Sequence, residues 1–323
     1  MSNKEKDIEH FGFKDIVGES VPIKEVREFI SKVSETDVTV LVQGESGTGK
    51  ELFAEQIHLN SKRKDMTLIR VNCAALPENL LESELFGHVK GAFTGADRDK
   101  PGLVEDAHMG TLFLDEVGEL KPTMQVKLLR VLENGEYFPV GGTKAKTADA
   151  RIISATNQDL SAMVHKGTFR EDLFYRIHVI DIELPPLRER KEDIPLLAES
   201  FLSRFPSTGK KPYLSGKILD TFLHYGWPGN VRELQNTIQR FLATNQITLP
   251  GRRSFYAVEE DEALRHADGL NGALEVLERK LIQESLNKSM WNRGQAADRL
   301  KISRWTLQRK MQKYDLVKKE DQV

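Results

Sequence analysis

Apolar positions in the first half of this chain alternate between two rhythms. Short β-branched or aliphatic runs at Val38–Val42, Leu68–Val71, Thr111–Leu114, Arg151–Ala155 and Val179–Leu184 read as strands. Between them lie segments with helical apolar spacing, such as Glu51–Leu59 and Gln125–Asn134. Strands that are apolar on consecutive positions are covered on both faces, so the alternation predicts an α/β fold with a parallel sheet between helices. From Glu189 to about Leu249 no strand-like run occurs, and a small helical domain is expected. Pro250–Gly272, with its Gly, Pro and the acidic run Glu259-Glu260-Asp261-Glu262, reads as a linker, and Ala273–Tyr314 is helical again. The expected organisation is a stub at 1–14, an α/β domain at 15–186, a helical domain at 187–249, a linker at 250–272 and a small all-α domain at 273–323.

Composition narrows the class. At 323 residues the chain exceeds one ordinary domain, and 39% apolar residues suffice for a sizeable core. No apolar run approaches the roughly 20 residues needed to span a bilayer, and the opening MSNKEKDIEHFGF lacks the apolar centre of an export signal. Cys73 is the only cysteine, which excludes an internal disulfide and fits a cytoplasmic protein. The net charge of −2 hides a local bias: Lys288, Arg293, Arg299, Lys301, Arg304, Arg309, Lys310, Lys313, Lys318 and Lys319 face only Asp298 and Asp315 between residues 288 and 319. Such a tail suits a phosphate backbone; a solvated helical face is the plainer alternative.

The chemistry starts after the first strand. Gly44-Glu45-Ser46-Gly47-Thr48-Gly49-Lys50 lies between a strand and the helical Glu51–Leu59, the strand–loop–helix context of a phosphate-binding loop. Glycines there let backbone N–H groups converge on phosphate oxygens, and Lys50 adds a point charge. The Ser or Thr hydroxyl that ordinarily follows the lysine and binds magnesium is replaced by Glu51. The apolar strand Thr111–Leu114 ends in Asp115-Glu116, with Asp115 placed to hold magnesium, directly or through water, and Glu116 to polarise an attacking water. Together these elements specify an ATPase using ATP and Mg2+.

GESGTGKE (Gly44–Glu51), ELFGHVKGAFTGA (Glu84–Ala96), GTLFLDE (Gly110–Glu116) and WPGNVREL (Trp227–Leu234), in this order, resemble the sigma-54-dependent transcription activators. The resemblance runs from about Ile16 to Leu316. It implies an AAA+ P-loop NTPase with a helical lid and a Fis-type helix-turn-helix, and in that family Glu does follow the loop lysine. Gly91-Ala92-Phe93-Thr94-Gly95-Ala96 is its most specific piece: two glycines frame an aromatic and a hydroxyl, suited to a mobile loop with a small apolar tip. The resemblance implies that this loop, through Phe93 and Thr94, contacts sigma-54. It further implies that Asn72 hydrogen-bonds Glu116, that Thr156 and Asn157 sense the γ-phosphate, and that Arg232 reports nucleotide to the lid. Arg170 and Arg176 become arginine fingers reaching a neighbour's nucleotide in a hexameric ring; a surface ion pair is the plainer fate of each.

In the tail, Asn292–Leu300 and a helix capped by Ser303, with Leu307, Met311 and Tyr314 on its buried face, form the expected helix-turn-helix for enhancer DNA. Ser303, Arg304, Trp305, Gln308 and Arg309 are expected near the major groove, and Lys301, Lys310 and Lys313 nearer phosphates; Trp305 has an equal alternative, packed inside. The partners implied are sigma-54 RNA polymerase, enhancer DNA and other copies of the chain. About fifteen residues precede the ATPase, too few for a receiver domain, so either a regulatory protein acts in trans or the chain is a truncated form. Two other readings stay open: an AAA+ DNA-binding machine of another kind, such as a replication initiator or helicase loader, and a DNA-binding regulator that senses ATP without productive hydrolysis.

Overall fold

A computed structural model describes residues 16–204, 214–244, 246–247, 249, 255–256, 269–314 and 316. The stub at 1–14, the acidic run at 259–262, and Lys318 and Lys319 lie outside the described residues. The chain divides into two compact units, Met1–Tyr213 with Leu219–Gln239, and Leu214–Ile218 with Arg240–Val323.

The first unit is built on a parallel five-stranded sheet. Its strands are β1 (Val40–Gln43), β2 (Leu68–Asn72), β3 (Thr111–Asp115), β6 (Arg151–Thr156) and β7 (Ile180–Glu183), in the order β2-β3-β6-β1-β7. A two-stranded ribbon, β4 (Glu136–Tyr137) and β5 (Lys146–Thr147), lies between β3 and β6 in sequence. Helix α1 (Val21–Ser34) precedes β1, and helices α2 (Lys50–Leu59), α3 (Glu78–Phe86), α4 (Leu103–Asp106), α5 (Pro122–Asn134), α6 (Leu160–His165) and α7 (Glu171–Ile177) connect the strands. The five strand-like runs all become sheet strands; four extend further at the carboxyl end, to Gln43, Asn72, Asp115 and Thr156. That extension matters because the carboxyl edge of a parallel sheet is where ligands bind.

Alternation along the strands divides the core. Leu112 and Leu114 pack into a cluster with Leu41 and Ile152 on one face; Phe113 joins Val40, Val42, Ile153 and Ala155 on the other. Burying each such side chain contributes roughly 1.5–3 kcal/mol, so the sheet is a firm floor for the loops at its edge. Arg151, at the start of β6, is also buried and donates to the carbonyls of Val33 and Ser34 where α1 ends. Burial pushes its guanidinium down to about 10.

After the sheet come α8 (Ile194–Arg204), α9 (Gly216–His224) and α10 (Asn230–Thr244). The expectation of a strand-free stretch from 189 to 249 followed by a plain linker needs one correction. Gln246–Ile247 (β8) pairs antiparallel with Phe255–Tyr256 (β9), a ribbon reaching into the expected linker. Two-residue strands carry no periodicity, so only their pairing reveals them. The second unit also holds α11 (Gly269–Lys288), α12 (Arg293–Leu300) and α13 (Arg304–Lys313). Its core is Ile282, Leu286, Ala296, Ala297, Leu307, Met311 and Leu316.

Candidate functional site

The nucleotide loop leaves β1 at Gln43 and enters α2 at Lys50. Gly49 caps the helix at φ +104°, and Lys50 is buried, donating to the Gly44 carbonyl at 3.0 Å. A cleft of about 300 Å³ opens over the N-terminus of α2, lined by Ser46–Leu52 on one side and Asp115, Glu116, Arg190 and Arg232 around it. Ile16, Val17, Leu197 and Phe201 form an apolar end. Free backbone N–H groups, the helix dipole and Lys50 make the loop end electropositive, and the apolar end suits a flat ring.

The acidic groups arrive from the end of β3, which is not a neighbour of β1. β6 lies between β1 and β3, so Lys50 and Asp115 face each other past the end of β6, where Thr156 and Asn157 sit. Glu116 Oε1 is 3.4 Å from Lys50 Nζ, and Glu116 Oε2 accepts the Asn157 N–H at 3.1 Å. Glu116 stands at φ +53°, a left-handed conformation costing a non-glycine residue about 1–2 kcal/mol, which places its carboxylate toward Lys50 rather than along the strand. Burial and the adjacent Glu116 push the Asp115 carboxyl above its ordinary range, with Lys50 opposing. Cys73 is buried beside this pair, and its thiol is pushed up to about 12, chiefly by burial, so it stays protonated and inert.

Asn72 departs from its expected partner. Its amide donates to Asp115 Oδ2 at 3.3 Å, not to Glu116, because Asn72 and Asp115 are register partners on adjacent strands. Glu51 lines the cleft and pairs with Arg70 at 3.7 Å, while Arg70 also holds Glu55 at 2.7 Å. Arg232 donates from Nη1 to Ser46 Oγ at 3.3 Å and from its backbone N–H to the Gly47 carbonyl at 3.3 Å. Arg170 and Arg176 are exposed, and neither is among the described residues lining this cleft. Arg170 holds Asp172 through two hydrogen bonds, at 3.0 and 2.6 Å, and Arg176 donates to the carbonyls of Leu132 and Glu133 near the end of α5.

Between Asn72 and Asp115 in the sequence, Gly91–Ala96 forms a short closed loop. The Gly91 N–H meets the Ala96 carbonyl at 2.8 Å, and Ala96 is buried as the anchor. Gly91 and Gly95 have φ of +83° and +99°, which glycine adopts without strain. Phe93 and Thr94 are exposed at the tip, with Phe93 edge-on to His88 at 5.0 Å between centroids. Sequence reasoning missed a second loop beside it: Gly141, between β4 and β5, comes so close that a Cβ there would lie 2.8 Å from the Ala92 Cβ. The glycine pair at 141–142 was its only signal.

In the second unit Asn292 caps α12 and Ser303 caps α13, Ser303 Oγ accepting from the Thr306 N–H at 3.0 Å. Lys301 makes the turn at φ +54°. Leu307 and Met311 are buried and Tyr314 half-buried, while Arg304, Trp305, Gln308 and Arg309 are exposed on the other side. Trp305 is 68% exposed with the Arg309 guanidinium over its ring at 5.0 Å, so packing inside is ruled out. Lys310 and Lys313, expected nearer phosphates, are ion-paired within the unit: Lys310 with Glu278 and Lys313 with Glu275 at 2.6 Å, both on α11. Lys310 is half-buried where α13 meets α11 while Lys313 stays exposed, and Lys310 and the Tyr314 hydroxyl hold the Glu278 carboxyl below its ordinary range. Leu270, Leu274, Leu277 and Leu281 lie exposed along α11.

A nucleotide loop on a parallel sheet, an acidic pair at the adjoining strand end and a helical lid define an AAA+ ATPase. The chain matches the "Sigma-54 interaction domain" over residues 16–183, the "AAA+ ATPase lid domain" over 188–254 and "Bacterial regulatory protein, Fis family" over 273–314. It belongs to the sigma-54-dependent transcriptional activators. Nitrogen fixation protein AnfA of Azotobacter vinelandii is 45% identical over 95% of this chain, which spans 59% of that relative's length. Transcriptional regulatory protein ZraR of Escherichia coli is 43% identical over 92% of this chain, which spans 68% of it. Among solved structures, NtrX from Brucella abortus in complex with ATP is 32% identical with a TM-score of 0.67, covering 97% of this chain and 72% of NtrX. Hsp104, 21% identical with a TM-score of 0.53 over 76% of this chain and 50% of Hsp104, shares the fold alone. Among the described residues no helix is long and apolar enough to cross a membrane.

Proposed function

We propose that this protein binds enhancer DNA and uses ATP hydrolysis to convert the closed complex of sigma-54 RNA polymerase into the open one. The observation that carries the reading is that the chain joins a cleft holding a phosphate loop, Lys50 and the Asp115–Glu116 pair to an exposed Phe93-Thr94 tip that is not part of the cleft's lining. In the cleft, Lys50 and the loop N–H groups bind the phosphates. Glu116, fixed by Lys50 and the Asn157 N–H, takes a proton from the attacking water. Two adjacent carboxylates facing one lysine fit a hard divalent ion; Asp115 would hold the magnesium, which supplies charge stabilisation to the phosphoryl oxygens. Glu51, paired with Arg70, does not replace the missing hydroxyl.

Arg170 and Arg176 serve a neighbour's nucleotide, which makes a hexameric ring the working form; their exposure away from the chain's own cleft supports this. Loss of contacts to the terminal phosphate on hydrolysis then resets Gly91–Ala96 against sigma-54. DNA is read by Ser303, Arg304, Trp305, Gln308 and Arg309, with Lys301 at a phosphate. The working place is the cytoplasm.

The test is promoter opening. The full chain with ATP should open a sigma-54 promoter carrying its upstream site, and a non-hydrolysable analogue should not. Robust phosphate release with no opening under any such promoter would refute the coupling and leave a bare AAA+ ATPase.

A further inference from the structure

Glu45 is part of the nucleotide loop, yet its side chain does not line the cleft. Its carboxylate accepts both Arg188 terminal nitrogens, at 2.8 and 2.6 Å, and the Asn230 amide at 3.1 Å. Asn230 is wholly buried at φ +52°; its Oδ1 accepts the Leu187 N–H at 2.8 Å and its Nδ2 also reaches the Ser46 carbonyl at 3.0 Å. Two further contacts complete the pattern: Arg232 N–H to the Gly47 carbonyl at 3.3 Å, and buried Arg190 to the Thr48 carbonyl at 3.0 Å. Each of the loop residues 45–48 is thereby held by a residue of the lid side, from 187–190 or from 230–232. Gly47 stands at φ +82° with the Gly229 carbonyl so near that a Cβ would lie 2.3 Å from it.

A glycine-rich loop loses conformational freedom when it closes on phosphate, and pre-ordering it removes that cost from binding. Backbone contacts to residues 46–48 tie the loop to the lid. The bidentate Arg188–Glu45 fork adds direction, because two parallel bonds fix the carboxylate's plane. Arg188 and Asn230 also keep the Glu45 carboxyl at about 2, so the contact stays charged throughout the neutral range.

We propose that Glu45 is a positioning residue for ATP: with Arg188 and Asn230 it clips the nucleotide loop to the lid, so that the loop is ordered for phosphate when the lid is seated. The proposal rests on the ATP reading of the cleft. Its test uses the full chain as parent, Glu45→Gln, Arg188→Ala, Arg188→Lys and the Glu45→Gln/Arg188→Ala double variant. Affinity for a slowly hydrolysed ATP analogue is measured by equilibrium titration, and KM and kcat by phosphate release. Each of Glu45→Gln and Arg188→Ala should raise Kd and KM about five- to tenfold while kcat stays within about twofold. The double variant should be no worse than the singles, since both break one contact. Arg188→Lys should recover part of the affinity, as a charge without the fork.

Unchanged affinity in either single variant, losses that multiply in the double, or a fall in kcat at constant Kd would each overturn the clip. The last pattern is that of a merely structural residue. Glu45→Gln is isosteric and retains the Asn230 contact, so it reports even where Arg188→Ala fails to fold. A parent that binds the analogue but hydrolyses no ATP would instead defeat the ATPase reading, leaving the clip to be judged on Kd alone.

Discussion

The nucleotide loop at Gly44–Lys50 and the loop at Gly91–Ala96 are both glycine-rich turns, yet they are held in opposite ways. Residues 45–48 each receive a hydrogen bond from the lid side, and Gly47 is pressed against the Gly229 carbonyl. The second loop is closed by its own Gly91–Ala96 bond, and a Cβ added at Gly91 or Gly95 would meet nothing within 4 Å. The first is fixed by polar contacts along residues 45–48, whereas the second is anchored at Ala96 and Ala92 and leaves its glycines and Thr94 exposed. Phosphate chemistry needs preorganised groups, whereas a loop that must change position needs few contacts to lose. The contrast is what the proposed function requires, a motor whose output loop is separable from its chemistry.

The largest effect should come from the fixed side. Glu116→Gln should bind ATP normally and lose turnover about 10²–10⁴-fold, as expected for removal of a positioned base. Lys50→Ala should instead weaken binding and turnover together. Measured phosphate release within twofold of the parent in Glu116→Gln would remove that residue from the mechanism.

Next come the glycines, which break the comparison directly. Gly47→Ala introduces a Cβ that cannot coexist with the Gly229 carbonyl, so ATP affinity should fall at least tenfold. Gly91→Ala carries only the strain of a positive φ, about 1 kcal/mol, and should leave ATP affinity intact. Equal damage to nucleotide binding from both would show that the two loops are not separately held.

A smaller, diagnostic effect concerns the arginines. Arg176→Ala protomers mixed with Glu116→Gln protomers should regain part of the lost turnover, because an intact finger meets an intact base at one kind of interface. Mixed rings that demonstrably form without any gain would return Arg176 to its role at the α5 carbonyls. Smallest of all, Ser303→Ala should lower the stability of the helix-turn-helix unit by about 1 kcal/mol through loss of its cap, with ATP turnover untouched. A thermal melt of the full chain resolving that unit checks it.

Much of this was legible in the sequence because it depends on local pattern. Consecutive apolar residues mark β1, β3 and β6, and the chemistry sits where those runs end, at Gly44, Asp115 and Asn157. Ser303 is legible as a cap because its partner is three residues away. What escaped depends on pairing between distant polar residues, which no periodicity encodes. Glu45 meets Asn230 across 185 positions, and Lys310 meets Glu278 across 32. Asn72 finds Asp115 rather than Glu116 through strand register, which a sequence motif does not specify. The β8–β9 ribbon escaped for another reason, being too short to show a period.

The central claim is that hydrolysis and output are separable, and Thr94→Ala tests it most directly. Thr94 is exposed at the tip beside Phe93 and is not among the residues lining the cleft. ATP turnover by Thr94→Ala should stay within about twofold of the parent, while promoter opening by sigma-54 polymerase, and sigma-54 capture in the presence of an ATP transition-state analogue, should be lost. Normal capture and opening by Thr94→Ala would make Gly91–Ala96 an ordinary turn and contradict the account.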